Sequence, residues 1–207
     1  AALAAAALTC AAGAVFAAGP VAVGSAPAAA QMKLAPADML ETVEVAPLDF
    51  AALRLEDDER DRAGLAPRFA VPHAVSITPD ERGFWELAEN GDMVWRLKVS
   101  SAGAVNLNFG FTRFALPDSA TLFVYSADGD DVVRGFTSAD NEAHGELWTP
   151  VVPGEAAVIE LSVAPEEMRA VELELGSINV GYRGFESLWA DGEASAEGRP
   201  SGDRDGA

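Results

Sequence analysis

The chain is almost free of cysteine. Cys10 is the one thiol in 207 residues, which excludes an intrachain disulfide and a cysteine-based zinc site. Positive charge is also scarce, with 14 Lys and Arg against 33 Asp and Glu and a net charge of −19. Nucleic acid and anionic membrane surfaces are held by basic patches, so neither is expected as a partner. Lysine is reduced to Lys33 and Lys98, and histidine to His73 and His144. No Gly-x-Ser-x-Gly, Gly-Asp-Ser-Gly, phosphate-binding glycine loop or His-Glu-x-x-His is present. Ser138, Asp140 and His144 lie too close in sequence to assemble a catalytic triad. Asp128, Asp130 and Asp131 bunch around Asp128-Gly129 without the spacing of a calcium loop, and Asp-Gly is a turn signal. No catalytic residue, cofactor or metal site is therefore assigned.

Hydrophobic residues make up 49% of the chain, enough for a core in one domain of ordinary size. They fall into distinct segments. Residues 1–30 carry no charge, run apolar to Ala18, break at Gly19-Pro20 and end in Ala28-Ala29-Ala30. This reads as the apolar and cleavage regions of a secretory signal, cut after Ala30, with its own start upstream of Ala1. Cys10 would leave with it. The run is short and alanine-rich for a bilayer-spanning helix, so no stable membrane anchor is expected and the product is secreted or periplasmic.

Residues 31–73 read as a partly helical extension. Asp49 is placed to cap a helix carrying Phe50, Leu53 and Leu55, and Glu56 to Arg62 reads as a solvated charged run. From about Ala74 the period becomes two. Trp95, Leu97 and Val99 alternate with Arg96 and Lys98; Val105, Leu107, Phe109 and Phe111 alternate with Asn106, Asn108 and Gly110; Ala157, Ile159, Leu161 and Val163 form another such strand. Leu122 to Tyr125 leads through Asp128-Gly129 to a returning strand over Val132 to Phe136. The apolar phase flips across Gly176-Ser177, which requires a bulge or a break. About eight strands over 74–188 predict an all-β fold, an antiparallel β-sandwich of jelly-roll or immunoglobulin-like type. Residues 189–207 contain no core-forming pattern and read as a disordered, flexible linker. Trp85 and Trp148 are the aromatic side chains that could stack on sugar rings, so a carbohydrate or cell-surface-polymer binding module is an alternative function.

Several segments form one connected pattern. They are Phe84-Trp85-Glu86, Val94-Trp95-Arg96-Leu97-Lys98-Val99-Ser100 and Ala104 to Phe109. The pattern goes on through Leu116-Pro117-Asp118-Ser119-Ala120-Thr121-Leu122, Tyr125-Ser126, Glu146-Leu147-Trp148-Thr149-Pro150-Val151-Val152-Pro153-Gly154, Glu160-Leu161 and Asn179-Val180-Gly181-Tyr182-Arg183. In order and spacing, from about Leu48 to Phe185, it resembles the N-terminal pro-region of secreted bacterial trypsin-like serine peptidases of the lysyl endopeptidase type. The resemblance implies a non-catalytic domain followed by a protease domain beyond Ala207, which would carry the catalytic residues. Its partner would be that domain, whose folding it assists or whose activity it restrains. Arg199 and Arg204 are the expected processing points in the linker.

Overall fold

The computed structural model describes residues 26–183. Residues 1–25 of the expected 1–30 signal, with Cys10, and the linker with Arg199 and Arg204 lie outside the described residues. The described chain begins with a short helix, α1 (Ala28–Gln31), and a three-residue strand, β1 (Thr42–Glu44). Helix α2 (Phe50–Arg62) follows, then strands β2 (Ala70–Ile77), β3 (Phe84–Leu87), β4 (Met93–Ser100), β5 (Asn106–Ala115) and β6 (Thr121–Ser126). The last are β7 (Leu147–Trp148), β8 (Val152–Pro153), β9 (Ala156–Val163) and β10 (Glu172–Gly181).

These strands form two five-stranded sheets packed face to face, an all-β sandwich. The first has the order β1-β4-β9-β6, with β3 also on β4; the second has β2-β10-β5-β7, with β8 also on β5. The pairings are antiparallel except β1 on β4, which is parallel over Thr42–Glu44. The sandwich opens at Ala70, four residues before the expected boundary, and β1 draws part of the expected extension into the first sheet.

Period-two alternation decides what lies between the sheets. Trp95, Leu97 and Val99 of β4 stand in register with Leu161, Ile159 and Ala157 of β9. They meet Leu107, Phe109 and Phe111 of β5 and Leu175, Ile178 and Val180 of β10 in one buried cluster. The Trp95 indole donates to the Arg82 carbonyl at 2.8 Å. It crosses so near Gly83 (φ +92°) that a Cβ there would lie 2.3 Å from Nε1. At Leu175–Ser177 the register of β10 shifts against both neighbours, which is the bulge required by the phase flip. Val132 to Phe136 does not make a full strand: it touches β6 through single bridges, Leu122 to Phe136 and Tyr125 to Val132. Between them Arg134 turns out to pair with Asp140 and lies over the Phe136 ring.

Helix α2 starts as its sequence dictates. The Asp49 carboxylate accepts from the Ala51 and Ala52 amides at 3.0 Å. Of the expected apolar face only Leu53 is buried, while Leu55 is exposed. The charged run is part of this helix, and one member, Asp57, is buried rather than solvated. Its partners lie elsewhere in the chain.

Phe109→Ala removes a fully buried ring from the centre of the core. It is expected to cost about 3–5 kcal/mol, read as a lowered urea midpoint with little change in slope.

Candidate interaction sites

Three places on the sandwich carry more chemistry than packing requires. The first is where the described chain leaves the sandwich. The Tyr182 hydroxyl donates to Asp57 Oδ2 at 2.8 Å and accepts from Arg68 Nε at 3.2 Å. Asp57, 3% exposed, also pairs with Arg183 at 3.0 Å and Arg68 at 3.3 Å. Both guanidinium groups stand within 6 Å of the Tyr182 ring centre, at 5.9 and 5.8 Å. The Arg68 guanidinium is held above its ordinary pKa, chiefly by the Tyr182 and Glu56 hydrogen bonds. Burial pushes the Tyr182 hydroxyl up, partly offset by Arg68. This clamp fastens α2 to the end of β10.

The second is the outer face of the first sheet. Arg96 of β4 and Glu160 of β9 face each other in register, yet are 2% and 1% exposed. They are buried because residues 26–40 lie across them. Glu160 accepts from the Ala28 amide, from the Ala29 amide at 3.3 Å and from the Tyr125 hydroxyl at 2.9 Å. Arg96 pairs with Glu86 and donates to the Ala35 carbonyl at 2.8 Å, and the Ala35 amide donates to Glu86 at 3.0 Å. Around these polar contacts Leu40 packs on Phe123, Tyr125 and Val158, and Ala28 on Ala88 and Val94. Desolvation pushes the Glu160 carboxyl above its ordinary value, although Tyr125, both amides and the Arg96 charge oppose it. Burial and the neighbouring Glu160 likewise push the Tyr125 hydroxyl up.

The third is Trp148, 59% exposed on the second sheet. Its indole lies on Gly110, where a Cβ would come within 2.6 Å of the ring. Thr149 then stitches the strand edge: its hydroxyl accepts from the Phe109 amide at 3.0 Å, and its amide donates to the Phe109 carbonyl at 2.9 Å. Trp85, by contrast, is half-buried against the core, with its indole N–H on the Pro79 carbonyl at 3.0 Å. It lines a surface cleft of about 360 Å³ with Arg113, Met168 and Glu172.

The model of the lysyl endopeptidase N-terminal domain matches residues 70–178, just over half of the chain. The chain belongs to that family. No solved structure matches it. The match begins with β2 and ends within β10, so it covers most of the sandwich; residues 26–45 and α2 fall outside it. The segments that carried the resemblance are those that assemble the sandwich. Leu116 and Ala120 are buried around the turn after β5, the Trp148–Pro153 stretch edges β5, and Trp95 fills the core of the lysyl endopeptidase-type domain.

The remaining expected residues are placed plainly. Ala30 is exposed in α1, one residue after the amides that hold Glu160. Trp85 and Trp148 stand on different sheets, in β3 and β7. Ser138 donates to Asp118 at 2.9 Å, Asp140 pairs with Arg134, and His144 Nδ1 accepts from the Glu146 amide at 3.0 Å, so each has a local role. Asp128 accepts from Ser126 and from the Asp130 amide, which organises its turn. Among the described residues no helix is long and apolar enough to cross a membrane. Reading the sequence missed Asp57, Arg96 and Glu160 as buried groups. No signal in the sequence marked them, because the Arg96–Glu160 register appears only in the structure.

Two outcomes follow. Asp57→Ala strips three partners of their shared carboxylate at a partly solvated site and is expected to cost about 2–3 kcal/mol in denaturant unfolding. Glu160, whose folded pKa is raised, contributes its full stability only below the ordinary glutamate value of about 4.3 and loses it as pH rises through the folded pKa. Glu160→Gln therefore flattens the decline of stability with rising pH, checked by urea midpoints measured on the acid side of neutrality and above it.

Proposed function

We propose that the chain is the non-catalytic pro-region of an exported lysyl endopeptidase-type serine peptidase precursor, and that it assists the folding of a downstream protease domain or restrains it until processing. The family match over the sandwich carries this reading. The charge of −19 supports it by suiting a basic partner face. A tethered partner meets its domain at about millimolar effective concentration, so even weak complementarity suffices while the linker is intact. Cutting after Arg199 or Arg204 would end that advantage and release the protease. The exit clamp fits such a junction, because it holds Tyr182 and Arg183 against the domain and leaves the cleavable arginines beyond it.

A denatured protease domain refolded with an excess of this chain is expected to recover at least several-fold more activity, or to show activity suppressed in a dose-dependent way. No change in either yield or rate overturns the reading. Trp148 favours a second reading, a binding face for glycans or cell-surface polymers, because one side of its ring rests on Gly110 and the side chain is mostly exposed. Glycan binding lost in Trp148→Ala, with refolding unaffected, would select it.

A further inference from the structure

Residues 27–40 lie outside the family-matched sandwich, yet they close its first sheet. Pro27 and Ala28 are buried, and the turn that follows is internally bonded: the Ala30 amide donates to the Pro27 carbonyl at 3.1 Å and the Met32 amide to the Ala28 carbonyl at 2.8 Å. The carboxylate beneath is served by three donors, two of which are the amides of Ala28 and Ala29. Among the described residues it has no cation within ion-pair distance, since the Arg96 guanidinium is engaged with Glu86. Removing residues up to Ala30 would therefore take away two of the three donors of Glu160 and uncover the apolar face on which Ala28 packs, so the strap's hydrogen bonds and its burial would be lost together.

Building on the export reading above, we propose that the strap from Pro27 onward is a permanent part of the folded pro-region, anchored by Glu160, and that the bond cut on removal of the leader lies before Pro27 rather than after Ala30. The same small-x-small rule that allows a cut after Ala30 is met by Ala22-Val23-Gly24. Hydrolysis there adds water across the Gly24–Ser25 bond, leaving a carboxylate on Gly24 and an ammonium on Ser25. Both amides that Glu160 needs stay on the domain. The Ala30–Gln31 bond, in contrast, lies within the α1 turn, so a cut there removes both amides that hold Glu160.

The test uses the full precursor produced in an exporting bacterial host. Amino-terminal sequencing of the exported product should give a first residue at or before Pro27. Hydrogen exchange over peptides covering residues 26–35 should show protection of the Ala28 and Ala29 amides. That protection should fall about 10- to 100-fold in Glu160→Ala, while β9 stays protected. Should the alanine variant fail to fold, Glu160→Met retains much of the volume without an acceptor oxygen and is read the same way. A product starting at Gln31, or strap amides that exchange equally fast in wild type and variant, overturns the proposal. An uncut chain overturns the export reading and the processing bond together, while the exchange data still decide the anchor.

Discussion

Arg96 and Glu160 face each other across β4 and β9 with water excluded from both. A charge in that position persists only when its remaining donors and acceptors are matched. Much of the first sheet's outer surface follows from this requirement. Ala35 serves both Arg96 and Glu86, Ala28 and Ala29 serve Glu160, and the apolar residues between them pack onto Val94, Phe123 and Val158. The outer face of the first sheet is thereby covered by the strap.

The same logic operates at the exit of the sandwich. Asp57 is buried because Arg68, Arg183 and Tyr182 converge on it from β2's approach and β10's end. Each buried charge binds a segment distant in sequence to the β core. The family-matched sandwich supplies the platform, and the segments before it act as ties that fix where the chain enters and leaves. Under the proposed pro-region role such fixed ends would matter, since tethering raises local concentration only when geometry permits both bodies to meet.

Much of the sandwich is legible in the residues themselves. The alternation in Trp95–Val99 and Ala157–Val163 gives strands with the correct inward face, Asp49 marks a helix start, and the flip at Gly176-Ser177 marks a bulge. The buried charges are not legible, because period two places Arg96 and Glu160 on the face that ordinarily meets water. What buries them is a strap more than sixty residues before Arg96, with no local signal at either end. Asp57 fails for the same reason: inside Glu56–Arg62 it looks like any solvated helix charge, and its partners come from later strands. The two-residue strand β7 is too short to show a period, so the seat of Trp148 on Gly110 emerges only from the pairing register.

The proposed pro-region role requires that this chain recognise a protease domain as a separate body. The direct measurement is a calorimetric titration of the isolated protease domain into this chain, at low and high salt. Saturable one-to-one binding that weakens as salt screens the acidic surface is the result expected. The absence of any binding at concentrations up to the millimolar range supplied by a tether would contradict it.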